Sequence, residues 1–168
     1  MSDTLILAGS NHKNLELAQA FQRVFEAKGL NPSLVDLVGL NLPLYTPVTE
    51  EQETPEAVNQ LCAQCMQAKR FVFITPEYNG GIAPALTNAI AWISRSDAAD
   101  WRTVFNGKMA AMGSASGGGG LQALIALRMQ LAYIGLTVVG RQVVVNAHKP
   151  LNESAIQDIA DVFITEPA

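Results

Sequence analysis

Three short segments of the chain concentrate polar and glycine residues of the types that can hold a small anionic ligand. The first, Gly9-Ser10-Asn11-His12-Lys13-Asn14, stands between an apolar run and a helical pattern, a place where free backbone N–H groups and the helix dipole attract an anion. Ser10 and Asn14 can donate hydrogen bonds and His12 and Lys13 can bring positive charge, which suits a phosphate monoester. The segment is neither a P-loop nor a GxGxxG fingerprint, because it lacks their glycines and the Gly-Lys-Ser/Thr ending. A capped helix start with a solvated loop is the competing reading. The second segment, Thr75-Pro76-Glu77-Tyr78-Asn79-Gly80-Gly81, sets an aromatic ring beside two glycines where backbone can approach a flat ligand. The third, Gly113-Ser114-Ala115-Ser116 followed by Gly117, Gly118, Gly119 and Gly120, offers more N–H donors before another helix.

Positioning these segments together requires a sheet, and the hydrophobic pattern supplies one. Residues 4–8 form a nearly all-apolar run, and Leu17, Phe21, Val24 and Phe25 follow at spacings of three and four, giving strand, loop and helix. Residues 33–37 predict a second strand. Thr54-Pro55-Glu56 marks a helix start, residues 71–75 a third strand, and Pro84 opens a helix carrying Leu86, Ala89, Ile90 and Ile93 on one side. Residues 108–112 predict a fourth strand, 121–134 a long helix ended by Gly135, 137–145 a fifth strand that Gly140 and Arg141 either bulge or split, and 153–163 a last helix. Apolar strands alternating with helices predict a parallel sheet covered on both faces. In such a sheet ligands bind beyond the carboxyl ends of the strands, where all three segments fall. A ligand with a phosphate at one end and a planar, hydrogen-bonding heterocycle at the other suits them, and flavin mononucleotide (FMN) fits that description.

Composition narrows the alternatives. With 168 residues, 49% hydrophobic and 15% charged, one globular domain over 1–168 is expected, not a disordered chain. Eleven Lys and Arg against fifteen Asp and Glu give a net charge of −4, no footprint for nucleic acid. The apolar window at 121–139 is broken by Gln122, Arg128 and Gln130, so no membrane span is expected. No basic leader precedes the first strand, and a cytoplasmic protein is expected. Cys62 and Cys65 form a CxxC within a helical pattern and without a second Cys or His pair. They read as two small apolar helix residues, and no metal site is expected.

The stretch 75–81, continuing through Pro84, Leu86, Asn88, Ala89, Ile90, Trp92, Ser94 and Arg95, resembles the signature of the NAD(P)H-dependent FMN reductase family, which includes quinone, chromate and azo-dye reductases. Leu42-Pro43-Leu44-Tyr45, Gly107-Lys108, Ser114-Ala115-Ser116, Gly119-Gly120-Leu121, Leu127-Arg128, Leu131 and Gly135 extend it. The resemblance implies a flavodoxin-like α/β three-layer sandwich with strand order 2-1-3-4-5, FMN as cofactor, and NADPH or NADH as electron donor. It also implies a small-molecule acceptor that is quinone-like, azo, a metal oxyanion or free flavin. The flavin carries the chemistry, so no catalytic side chain is expected. The cofactor-binding residues expected are Ser10, His12, Lys13 and Asn14 at the phosphate, with Pro76, Glu77, Tyr78, Asn79, Gly80, Gly81, Ser114, Ser116, Gly117, Gly118 and Gly119 around the ring.

The first segment departs from the family pattern: it is shortened and has no arginine, with Asn14-Leu15-Glu16-Leu17-Ala18 matching the end of the usual motif. Two alternatives therefore stand beside the reductase: a flavodoxin-like electron carrier, and a non-enzymatic binding protein of the same fold with weakened flavin affinity. FAD is expected to bind less well than FMN, since no adenosine site is recognisable. A homodimer or tetramer is expected through helices 84–94 and 121–134, with Trp92, Ile93 and Arg95 at the contact or its rim.

Overall fold

The computed structural model describes residues 3–52, 54–95 and 100–165. Five parallel strands, β1 (Thr4–Ala8), β2 (Pro32–Asp36), β3 (Arg70–Ile74), β6 (Met109–Ala115) and β7 (Thr137–Val145), lie in the order β2-β1-β3-β6-β7. A two-stranded hairpin, β4 (Glu77–Tyr78) and β5 (Gly81–Ile82), stands apart. Counted without the hairpin, the order is 2-1-3-4-5, as expected.

Side-chain alternation divides the core in two. Leu5, Leu7, Phe71, Phe73, Ala110 and Met112 face one layer, covered by α2 (Leu37–Leu40), α4 (Glu56–Gln67), α5 (Pro84–Ser94) and α6 (Leu121–Tyr133), with the single turn α3 (Pro47–Glu50) between α2 and α4 in the chain. Ile6, Ala8, Val72, Ile74, Met109 and Ala111 face the other, covered by α1 (Lys13–Ala27) and α7 (Glu153–Thr165). Phe71 and Phe73 stack in the first layer with Phe105 tilted against both, and Phe25 meets Phe21 and Phe163 edge to face in the second. Gly140 and Arg141 bulge β7 and do not split it: pairing jumps from Ala110↔Val138 to Met112↔Gln142 within one strand. Arg128 holds it, donating to Val138 O, Gly140 O and Gln142 Oε1.

Two boundaries shift with consequences for the loops. β6 runs through Ala115, so Ser114 lies in a strand and not in the expected loop. Residues 76–81 fold as a hairpin whose turn, Asn79 and Gly80, has φ of 52° and 75°, the left-handed pair that an Asn-Gly turn adopts readily.

CxxC lies within α4 as two thiols that form no disulfide. Burial, with the neighbouring Cys62 adding to it, pushes the Cys65 thiol well above its ordinary value, so it is an inert core residue. Lys108 donates from Nζ to Cys65 O and Met66 O at the end of the same helix, a cation on the negative pole of the dipole.

Candidate functional site

At the carboxyl edge of the sheet, the loop from β1 to α1 turns sharply at Gly9, where a Cβ would stand 2.9 Å from Leu86 Cβ and 3.1 Å from Ile74 O. Helix α1 then starts without a side-chain cap. His12 occupies the N-cap position at φ 51° and ψ −128°, a region that costs a non-glycine residue of order 1–3 kcal/mol. Gly9 N–H donates to Ile74 O and Glu16 N–H to His12 O, while none of the main-chain N–H groups from Ser10 to Leu15 has an acceptor within the described residues. His12 and Lys13 are exposed beside this run and take part in no ion pair there. Such a run is the unsatisfied end that an anion completes.

Four hydrogen bonds tie the three loops into a triangle. Ser10 Oγ and Tyr78 Oη lie 3.1 Å apart, joining the first loop to the hairpin. Glu77 N–H donates to Ser116 Oγ at 2.7 Å, joining the hairpin to the third loop. Asn14 joins the first loop to the third, donating from Nδ2 to Ala115 O and accepting from Ala115 N–H, both at 2.9 Å. Inside the hairpin loop, Thr75 Oγ1 accepts from Ala83 N–H and donates to Pro76 O, closing its base.

These bonds reassign several of the expected ligand residues. Asn14 is buried, 5% exposed, and its side chain is committed to Ala115, so only its main-chain N–H belongs to the unsatisfied run. Ser114 is fully buried with its hydroxyl on Ser116 Oγ, because the strand carries it beneath Gly120. Gly119 is buried and donates its N–H to Ser116 O. Pro76 is buried as well. Glu77 caps α6 from a distance, Oε2 accepting from the N–H groups of Gln122 and Ala123, which places its charge on the positive end of that helix. Left open at the edge are the N–H groups of Asn79, Gly80, Gly117 and Gly118, the Asn79 amide and the Tyr78 ring. The structure also brings in groups outside the expected ligand set: the N–H groups of Asn11 and Leu15, whose signal is that every helix start leaves its first amides unbonded, and the Thr75 clasp.

The signature residues beyond the loops brace the site's flank. Asn88 accepts from Tyr45 N–H at 2.7 Å and donates to Pro43 O, and Trp92 Nε1 donates to Pro43 O at 2.8 Å. Trp92 and Ile93 are thereby buried within the chain and are not available as the expected subunit contact. Tyr45 Oη donates to Glu50 Oε2 at 2.7 Å and Arg95 Nε to Glu50 Oε1 at 2.6 Å, strapping residues 42–50 to α5. The hydrogen bond from Tyr45, and then that from Arg95, holds the Glu50 carboxyl below its usual range. A carboxyl with a lowered folded pKa contributes stability above its unfolded pKa and loses it as pH falls through the folded one. The strap is therefore expected to loosen only below the ordinary carboxylate range. In a Trp101→Phe background, Trp92 emission, with Tyr45 5.3 Å from its ring, is expected to change in that acid window. Glu50→Gln should remove the acid step, and an unchanged step in Glu50→Gln would assign it elsewhere.

Comparison with known proteins places this geometry. A family model described as NADPH-dependent FMN reductase matches residues 3–149. An NAD(P)H-dependent FMN reductase of Pseudomonas aeruginosa is 36% identical over 108 residues, covering 63% of this chain and 55% of that protein. A quinone reductase of Escherichia coli is 42% identical over 65 residues, 38% of this chain and 32% of that protein. The matched stretch thus spans about half or less of these two relatives. Among solved structures, FerB of Paracoccus denitrificans, a flavoenzyme NAD(P)H:acceptor oxidoreductase, superimposes with a TM-score of 0.79 at 24% identity, covering 98% of this chain and 96% of that one.

Proposed function

This chain belongs to the NADPH-dependent FMN reductase family, and from that premise we propose that it is an FMN-dependent NAD(P)H oxidoreductase acting on a small-molecule acceptor that is quinone-like, azo, a metal oxyanion or free flavin. The observation that carries this reading is the unbonded run of N–H groups from Ser10 to Leu15 beside exposed His12 and Lys13. Its chemistry fits a dianionic phosphate without an arginine, since the helix amides and two nearby cationic or titratable side chains replace it. Held there, FMN supplies two-electron acceptance from NAD(P)H and delivery to the second substrate.

The chain's own residues do the rest. The amides from Ser10 to Leu15, with His12 and Lys13, bind the phosphate. The N–H groups of Asn79, Gly80, Gly117 and Gly118 hold the polar edge of the ring, fixed donors that favour negative charge building there. Tyr78, Ser116 and Asn14 orient the three loops through the triangle of bonds. Glu77 holds α6 and moves no proton.

FMN is expected to bind at least about tenfold more tightly than riboflavin in a fluorescence titration, because only FMN reaches the amide run. NADPH or NADH should then bleach the loaded protein within seconds. Equal affinity for the two flavins would remove the phosphate site from the reading. Tight FMN binding without bleaching would leave the electron carrier, and no flavin binding the non-enzymatic protein.

The reading extends to one domain over 1–168, working in the cytoplasm, a compartment that suits two cysteines outside any disulfide. No described helix is long and apolar enough to cross a membrane. It extends also to a homodimer, or a tetramer built from it. Helix α6 buries Ala123, Leu124, Leu127 and Leu131 and leaves Leu121, Ile125, Met129 and Tyr133 53 to 73% exposed. These four stand every fourth residue, a ridge able to interdigitate with its own copy across a two-fold axis. Sedimentation is expected to show twice 18.0 kDa or a higher multiple, and Ile125→Lys with Met129→Lys to return the monomer. A wild-type monomer at micromolar concentration would sink the assembly.

A further inference from the structure

A cavity of about 350 Å3 opens beside the start of α1 and borrows Lys13, Ser116 and Gly117 from the loops just described. Leu17, Ala115 and Val145 make one apolar wall, and Pro150 and Leu151, from the connection between β7 and α7, another. Its polar groups are few. Lys13 and Glu16, one helical turn apart on α1, have no ion-pair partner among the described residues. Asn146 uses Oδ1 to accept from the N–H groups of His148 and Lys149, while its Nδ2 has no acceptor there. The oxidoreductase reading, with the flavin phosphate on the N–H groups from Ser10 to Leu15, touches this cavity only at Lys13, Ser116 and Gly117 and leaves Glu16, Asn146, Ala147, Pro150 and Leu151 without a role.

What it would accept follows from those groups. The walls favour a flat, uncharged body, and the size lies at the lower end of small-molecule sites. Asn146 offers a donor to a ring nitrogen and Glu16 an acceptor for sugar hydroxyls. Lys13 stands both in the cavity lining and at the first turn of α1, so a phosphate attached to that body is drawn toward the same helix end. Purine, ribose and phosphate in one molecule satisfy all of these together.

We propose that this cavity binds the adenosine 5′-phosphate half of a dinucleotide, FAD or NAD(P)H. It supplies the adenosine site that is not recognisable in the sequence. The inference rests on the flavin-phosphate reading above for its second anchor, but the cavity can be tested without flavin.

The 15N-labelled flavin-free protein is titrated separately with 5′-AMP and with FMN. AMP is expected to shift the amide resonances of Asn146, Ala147 and Leu151 saturably. Ala147 and Leu151 are exposed lining positions, so Ala147→Phe and Leu151→Arg should fold as wild type by melting and lose those shifts. Absence of shifts in the wild type, or their survival in both variants, overturns the site. FMN is expected to move Asn79 and Gly80, and its failure to do so would overturn the flavin reading while the AMP result still judges the cavity. Two further measurements separate the sources. If FAD is the occupant, Ala147→Phe lowers the affinity ratio of FAD to FMN about tenfold. If the nicotinamide dinucleotide is, the variant raises its KM about tenfold at unchanged kcat and leaves that ratio alone. Neither change, with AMP binding intact in the wild type, would overturn the dinucleotide assignment.

Discussion

Gly120→Ala is expected to be among the most damaging single-methyl additions in this chain. Gly120 is the N-cap of α6 at φ 71°, and a Cβ there would overlap Ser114 Oγ and stand 2.7 Å from Ser114 Cβ. Ser114 cannot retreat, because it lies fully buried in β6. Its hydroxyl bonds Ser116, Ser116 accepts from Glu77 N–H, and the Glu77 carboxylate bonds the first turn of α6. One added methyl therefore strains the strand, the hairpin and the helix together. The left-handed conformation adds about 1–2 kcal/mol and the overpacking about 1–3 more, a large part of the total stability of an ordinary domain. A fall in Tm of roughly 10 °C follows for a chain of this length. Gly118→Ala is the control, since its Cβ would meet only Glu77 Oε1 at 4.0 Å, and it should stay within about 0.5 kcal/mol of wild type. Ser114→Gly in the Gly120→Ala background should recover part of the loss. A Gly120→Ala protein that melts with the wild type would show that α6 starts elsewhere in solution.

The same chain of contacts explains what the sequence made legible. Strand order and the placing of three loops at one edge follow from alternation of apolar runs with helical spacing, because burial decides those patterns locally. Which polar side chain faces a ligand does not. Ser114 and Ser116 differ by two positions and have the same chemistry, yet the length of β6 buries one completely and leaves the other half-exposed to hold the hairpin. Glu77 looks like a ligand residue by position and is a remote helix cap, a role set by α6, 45 residues later in the chain. The long signature through Arg95 is legible as a signature, but Asn88, Trp92 and Arg95 act on residues 42–50 and not on the crevice. The cavity beside Lys13 is invisible for a similar reason, since its far wall comes from residues 145–151, which carry no motif.

Asn14→Ala is the second large effect, and it decides whether Asn14 is a clamp or a ligand. Deleting the amide removes both bonds to Ala115 and leaves the N–H and C=O of a nearly buried residue without their partner. Each unmet group costs about 1–3 kcal/mol, so flavin-free protein should lose roughly 2–5 kcal/mol. FMN affinity should fall at least about tenfold as the first loop loses its tie to β6. A side chain that only touched phosphate would behave differently: the flavin-free protein would melt as wild type and riboflavin binding would be unaffected. Asn14→Asp separates the contributions further, because it retains the acceptor for Ala115 N–H and loses the donor to Ala115 O. It is expected to be more stable than Asn14→Ala at neutral pH. Its carboxylate would stand next to the amide run from Ser10 to Leu15, so it should lower the affinity ratio of FMN to riboflavin more than Asn14→Ala does. Calorimetry of the three flavin-free proteins and parallel titrations with the two flavins measure all of this. Unchanged melting in Asn14→Ala would refute the clamp, and an unchanged flavin ratio in Asn14→Asp would move the anion site away from the start of α1.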